Sequence, residues 1–241
     1  LKESTNQLIT VMKKTMIYLL ASVMLIGVLS CSKDDATPSS TLVTAPEAEA
    51  GNDTKSGGVY KGALIGSSGI FKVTLQKGKV EIVITLDGVT KTLTTGQLSG
   101  WTSGQAIANA TFTAGDWSVT FSVDADGGNP YISLTIPGHA GITAVIGKET
   151  STALIKAFEG TYAGTESGTW NIVIQGTVLA GISRGSGGTG GSQVNFFEGT
   201  VSGNNISVPD VAAAGVINGD NVSGTWGIAP DNGTWTGKRT L

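Results

Sequence analysis

The sequence predicts an all-β protein whose main part is a duplicated antiparallel meander. Apolar and polar residues alternate through most of the region after residue 57, as expected for strands that bury one face. Tight-turn signals such as Asp87-Gly88 separate the alternating runs. Glycine is also unusually frequent, at 36 of 241 residues, compared with about 7% in ordinary domains. Together these observations favour many short strands joined by turns.

The individual strands can be followed along the chain. Strict alternation occurs in residues 71–75, 80–86 and 117–123, and it continues more weakly in the second half. Only residues 151–158, STALIKAF, have a helical pattern. They predict a short connector between two β-units.

Short motifs recur after about 100 residues, which indicates an internal duplication. The matched pairs are 58–62 with 160–164, 71–75 with 170–174, and 96–100 with 199–203. The predicted halves are residues 58–148 and 158–241, joined by a connector at 149–157. We expect two packed sandwich-like or barrel-like halves, because packing would cover exposed strand edges. One larger barrel and two separate domains are the alternative arrangements.

The first thirty residues have the pattern of a secretory signal. Met12-Lys13-Lys14 is basic, and residues 16–29 form an apolar run. This run is shorter than the roughly 20 residues of a membrane-spanning helix but has the length of a signal core. We therefore interpret residues 1–30 as a signal-peptide region that starts at Met12.

Cys31 is the only cysteine in the chain, so an intramolecular disulfide is excluded. The tetrapeptide Val28-Leu29-Ser30-Cys31 resembles the lipobox of bacterial lipoproteins. The resemblance implies that the thiol of Cys31 receives diacylglycerol and that the signal is removed before it. Two or more acyl chains would anchor the protein firmly in a membrane.

The residues after the cysteine indicate where the protein is exported. Ser32, Lys33, Asp34 and Asp35 resemble the export signal of Bacteroidetes-type surface lipoproteins. This resemblance implies a lipid-anchored position on the outer membrane, facing outward. The rest of residues 31–57 is rich in Thr, Ser, Pro, Ala and acids, which predicts a flexible tether.

The C-terminal region has a second resemblance. Residues 222–238, VSGTWGIAPDNGTWTGK, resemble the G-T-W-x-G hairpins of lipocalin-like and transferrin-binding-protein-like barrels. The resemblance implies a barrel-like fold and brings no site residues with it.

Several functional classes lack their usual residues. The net charge is −3 and no basic cluster is present, so nucleic-acid binding is not expected. His139 is the only histidine, and it lies in a turn-like segment without a nucleophile motif or further zinc ligands. Residues 124–128, DADGG, match a calcium loop only in part, and a turn is the better interpretation. We predict no catalytic residue, metal site or cofactor.

Tryptophans are the remaining candidates for ligand contact. Trp170 and Trp226 follow Ser-Gly-Thr at strand starts, where a place in the core is the expected role. Trp101 and Trp235 are the two predicted to contact a ligand, since exposed indoles bind sugars and anchor interfaces.

These patterns predict a non-enzymatic surface lipoprotein of the outer membrane. Its β-domain is expected to bind an extracellular glycan, a protein or a small apolar ligand. The alternative is a structural or assembly component of the cell envelope. A carbohydrate hydrolase is a third hypothesis, which would require two converging carboxylates.

Overall fold

A computed structural model describes residues 42–66, 68–186 and 193–241. Cys31 and the predicted export signal lie outside these residues. Residues 42–241 form one compact unit that is nearly all strand, as the sequence predicts. In the described part of the chain, no helix has the length and hydropathy needed to cross a bilayer.

The first half forms an eight-stranded antiparallel sheet in the order β7-β6-β5-β4-β3-β2-β1-β8. Its strands are β1 Gly58–Ile65, β2 Gly69–Gln76, β3 Lys79–Leu86, β4 Val89–Thr94, β5 Ile107–Ala114, β6 Trp117–Val123, β7 Tyr131–Thr135 and β8 Thr143–Glu149. The two outermost strands, β7 and β8, lie close together without a hydrogen-bonded register. The sheet is therefore a barrel that stops just short of closure.

The second half is a closed up-and-down barrel. Its strands are β9 Ile155–Gly164, β10 Gly168–Gln175, β11 Val178–Gly185, β12 Val194–Ser202, β13 Asn205–Val208, β14 Ala213–Asn218, β15 Asn221–Ile228 and β16 Asp231–Arg239. Each strand pairs antiparallel with its chain neighbours, and β16 returns to pair with β9. The prediction of an all-β fold with two packed, barrel-like halves is confirmed.

The halves pack through strands that are buried on both faces. Every residue of β1 is buried. Tyr60 and Leu64 belong to the core of the first half. Ala63 and Ile65 instead join a separate apolar cluster that includes Ile155 of the second half. This cluster joins the two barrels along one side.

The duplication is visible in the strand register. The first matched motif, however, aligns differently in the structure from the alignment that the sequence predicts. Gly62 lies opposite Phe71, and Gly160 lies opposite Trp170 in the same way. In both places a glycine leaves room for an aromatic ring on the next strand. Residues 58–62 therefore correspond to 156–160, not to 160–164. The third match also differs, because 96–100 form a loop after β4 whereas 199–203 end β12.

The helical interpretation of residues 151–158 is wrong. A turn leads directly into β9 at Ile155. Ile155 and Ala157 are buried in the apolar cluster between the barrels, whereas Lys156 is only partly buried. This period of two outweighs the local helical propensity.

The structure also differs from the tether prediction over residues 42–57. This segment includes a short 3₁₀ turn, Ala50–Asn52, and packs against the first barrel. Ser56 is fully buried, and the ammonium of Lys148 donates to the carbonyls of Asn52 (2.6 Å) and Asp53 (3.2 Å). Polar composition suggested flexibility here, but specific partners hold the segment in place.

Candidate ligand-binding cavity

The second barrel encloses a cavity of about 330 Å³. It lies toward the end formed by the connections at 165–167, 209–212 and 229–230, which we call the mouth end. Glu166 and Val211 of these connections belong to its lining. The remaining lining comes from the inward faces of the strands, so a molecule in this second-barrel cavity would be surrounded by the barrel wall.

Two pairs of aromatic rings form much of the cavity wall. The ring centroids of Trp170 and Trp235 are 5.4 Å apart at an interplanar angle of 86°. Those of Tyr162 and Trp226 are 5.8 Å apart at 84°. Both are edge-to-face arrangements, which aromatic pairs favour.

Hydrogen bonds orient the buried indoles. The indole N–H of Trp170 donates to the carbonyl of Thr161 at 3.1 Å, and that of Trp235 donates to the carbonyl of Thr225 at 3.0 Å. The indole nitrogen of Trp226 is also buried, but it has no acceptor among the described residues. Burying an N–H without an acceptor costs free energy.

Glycines on nearby strands make room for the rings. A Cβ added at Gly237 would lie 2.6 Å from Cη2 of Trp170, and one added at Gly224 would lie 2.6 Å from Cε2 of Trp235. Real Cβ contacts are not this short. The high glycine content of the second half therefore has a packing role, since flat indoles lie against glycine backbone.

The rest of the lining is mainly aliphatic and includes a few polar side chains. Its other apolar members are Ile172, Leu179, Phe197, Ile206, Val208, Val211 and Ala213. Ser183 and Asn195 contribute polar side chains, and Glu166 is the one charged residue in the lining. Burial, with a further contribution from the nearby Glu166 carboxylate, raises the pKa of the Tyr162 phenol. Tyr162 is thus protonated at neutral pH.

The tryptophans predicted to contact a ligand have different positions. Trp235 lines the cavity and is only 8% exposed, so it faces the interior and not the solvent. Trp101 belongs to the first half, where it packs against the core and its indole N–H donates to the carbonyl of Gln105 at 3.0 Å. The structure does not bring Trp101 to the cavity.

The sequence predicts core positions for Trp170 and Trp226, and the structure shows that both also line the cavity. A repeated triplet in the sequence indicates these inward-facing positions. Gly-Thr-Trp occurs at 168–170, 224–226 and 233–235, and residues two apart in a strand share a face. Because glycine and tryptophan then face inward together, the triplet marks the barrel interior.

The remaining titratable candidates have structural partners. Nε2 of His139 lies 2.9 Å from Oδ2 of Asp87, and this hydrogen bond, together with one to the Pro137 carbonyl, raises the pKa of His139. Asp124 accepts from the amide of Asn129 at 2.7 Å, and Asp126 accepts from the backbone N–H of Gly128 at 2.8 Å. Within the described ranges, no three His, Cys, Asp or Glu side chains are grouped so that they could hold a metal.

Comparison with protein-family models, curated proteins and solved structures finds no match to this chain. Fold and cavity nevertheless define a class of protein: an eight-stranded up-and-down barrel with a small, mostly apolar internal site. Barrels of this strand number are just wide enough to hold one small ligand.

Proposed function

We propose that this protein is a lipid-anchored surface protein whose second barrel binds a small, largely apolar molecule. The second-barrel cavity is the observation that carries the proposal. Its volume of about 330 Å³ lies at the lower end of the range of small-molecule sites, roughly 300–1,000 Å³. An apolar wall with a few polar groups is also typical of such sites.

The lining favours a small apolar ligand over a glycan or a protein. A sugar has many hydroxyl groups, and each would need a hydrogen-bond partner inside the barrel. Ser183, Asn195, Glu166 and Tyr162 offer few such partners, whereas most of the wall is aromatic or aliphatic. A protein partner would not fit inside the barrel.

The first barrel contrasts with the second. Its interior contains the rings of Tyr60, Phe71, Phe112 and Phe121, all fully or almost fully buried. Tyr60 and Phe121 pack edge to face with centroids 5.3 Å apart. The first barrel also holds residues 42–57 through ion pairs. We assign it the role of a scaffold that joins the anchor to the ligand-binding barrel.

Ligand binding can be tested with a matched pair of variants at neighbouring positions. Ala213 lines the cavity, and Ala214 is exposed on the outer face of the same strand. Ala213→Phe should fill the cavity and weaken binding of the uncharged fluorophore N-phenyl-1-naphthylamine by at least about tenfold, because the phenyl ring occupies the ligand's volume. Ala214→Phe should bind like the wild type. The measurement is a fluorescence titration of the purified chain from residue 42.

Three results decide this proposal. Binding by the wild type and by Ala214→Phe, but not by Ala213→Phe, supports it. No binding by the wild type would overturn it. Equal binding by both variants would place the fluorophore outside the cavity and would also overturn it. Circular dichroism of both variants checks that the barrel is intact.

The anchor part of the proposal depends on the sequence around Cys31. Eleven residue steps separate Cys31 from Leu42, where the described structure begins. A fully extended chain covers about 3.3–3.6 Å per residue, so Leu42 can lie at most roughly 40 Å from the lipidated residue. A lipid on Cys31 would therefore keep the barrels close to the membrane surface.

Cys31→Ala should abolish labelling with a radioactive or alkyne-tagged fatty acid in a lipoprotein-processing bacterium, because the thiol that accepts the lipid is gone. Cys31→Ala that is labelled like the wild type would refute the anchor. Replacing Lys33, Asp34 and Asp35 by alanine should preserve labelling but reduce digestion by protease added to intact cells. Unchanged digestion would refute the export signal only.

A further inference from the structure

We infer that the ligand of the second-barrel cavity is an organic cation, an apolar body that carries an ammonium group. This inference rests on the proposed function, because it specifies the chemical class of the ligand for the same cavity. Two features of the cavity support it: its aromatic wall, and the negative charge at its mouth end, where Glu166 of the lining lies.

Aromatic rings form part of the cavity wall. Tyr162, Trp170, Trp226 and Trp235 all line the cavity, and their edge-to-face packing sets neighbouring ring planes nearly perpendicular. The negative faces of such rings attract ammonium groups, tryptophan most strongly. An ammonium group enclosed by rings at right angles can contact more than one face.

Glu166 supplies the opposite charge. It is the one ionisable carboxylate in the lining, and no Lys or Arg accompanies it there. Glu166 is exposed on the connection that follows β9, four residues after Tyr162, and it lines the same cavity as Tyr162 and Trp226. A cation beside this pair would therefore contact aromatic faces and remain close to Glu166, whereas an anionic group would be repelled.

The mouth end is also negatively charged. The connections at 165–167, 209–212 and 229–230 include Glu166 and Asp210 but no Lys or Arg, and Asp231 follows at the start of β16. Arg184, at the nearby end of β11, is directed to the first barrel, where its guanidinium donates to the carbonyl of Gly141 at 2.5 Å. A cleft bordered by one sign of charge concentrates ligands of the other sign.

Three ligands with the same eight-carbon chain test the inference by displacement of N-phenyl-1-naphthylamine. They are octyltrimethylammonium, 1-octanol and octanoate, used below micelle-forming concentrations at pH 7. Octyltrimethylammonium should bind about tenfold tighter than octanoate, because cation–π contacts and the Glu166 charge both favour it. 1-Octanol should lie between them.

Glu166→Gln should reduce this preference to about threefold or less, because only the aromatic contribution remains. It should leave the affinity for 1-octanol unchanged. The matched control is Glu198→Gln, which removes the same charge from the outer face of β12 and should preserve the preference.

The outcomes separate this inference from the proposed function. If the fluorophore and all three ligands fail to bind, the proposed function fails and the inference falls with it. If 1-octanol binds but octyltrimethylammonium is no better than octanoate, only the cation inference is overturned. It is also overturned if Glu198→Gln removes the preference as fully as Glu166→Gln.

Discussion

Gly224→Ala is expected to destabilise the protein by about 3 kcal/mol and to displace the indole of Trp235, because an added methyl group at this position has no space. The new Cβ would lie 2.6 Å from Cε2 of Trp235 and would also meet the backbone carbonyl of Ala214 on β14. A side chain can rotate away, but a carbonyl fixed in the sheet cannot. The strands must therefore separate locally or the indole must leave its hydrogen bond to Thr225.

Urea unfolding followed by circular dichroism measures this effect. The matched control is Gly96→Ala, since nothing lies within 4 Å of a Cβ added there and its backbone is not left-handed. The control should unfold like the wild type. Gly224→Ala should also lose binding of N-phenyl-1-naphthylamine, because Trp235 is part of the cavity wall. Unfolding of Gly224→Ala at the wild-type midpoint would contradict the packing argument.

The second large effect is expected at Lys61, where replacement by methionine should destabilise the protein by about 3–5 kcal/mol. The side chains of Lys61 and Glu149 are both fully buried, and Nζ of Lys61 lies 2.8 Å from Oε2 of Glu149. Nζ also lies 2.8 Å from Oε2 of Glu47. Without Lys61, the carboxylate of Glu149 would be a buried charge with no opposite charge beside it.

Removing Lys61 would affect more than one ion pair, because Glu149 also accepts hydrogen bonds from two other segments. Its Oε1 accepts the backbone N–H of Glu47 at 2.6 Å, and its Oε2 accepts the backbone N–H of Ile155 at 3.0 Å. The carboxylate thus joins the N-terminal segment, the first barrel and the first strand of the second barrel. We expect Lys61→Met to loosen residues 42–57, which hydrogen exchange at the Glu47 amide would detect.

Two further variants isolate the effect of burial. Lys79 forms an exposed pair with Glu81 at 3.2 Å, and Lys79→Met should cost less than about 1 kcal/mol because solvent screens that pair. The double variant Lys61→Met/Glu149→Gln should recover part of the lost stability, because it removes both buried charges. The recovery should be incomplete, because glutamine has one acceptor oxygen and so can accept only one of the two N–H groups that Glu149 binds through separate oxygens. A single Lys61→Met variant within about 1 kcal/mol of the wild type would show that the ion pair is not important for stability.

Local patterns in the sequence were sufficient to predict the strands and many of their turns. The alternation in residues 71–75 and 80–86 predicts β2 and β3, and both are present. The Asp87-Gly88 turn has positive φ at both residues, 48° and 79°, as an Asp-Gly hairpin turn requires. These features depend on neighbouring residues only, so they can be read directly from the chain.

The candidate site was only partly predictable. The sequence predicts a ligand contact at Trp235 on the ground of exposure, whereas the indole lies inside the barrel. It predicts core positions for Trp170 and Trp226, and it does not distinguish Glu166 from other acidic residues. A lone acidic residue in a short connection has no distinctive pattern, and Glu166 becomes part of a site only because the barrel forms a cavity that strands distant in sequence also line.

The sequence by itself determined the all-β character, because the alternation of apolar and polar residues depends on short-range spacing. It also indicated two similar halves, although only the match of 71–75 with 170–174 corresponds in the strand register, and the lipid anchor at Cys31 stays a prediction. Only the tertiary structure decided that β16 closes on β9, that β7 and β8 stay unpaired, and that residues 42–57 pack on the first barrel. It also decided that a cavity exists in the second barrel. The physical reason is the same in each case: closure and cavity volume depend on how side chains far apart in sequence fill a shared interior, which no local pattern specifies.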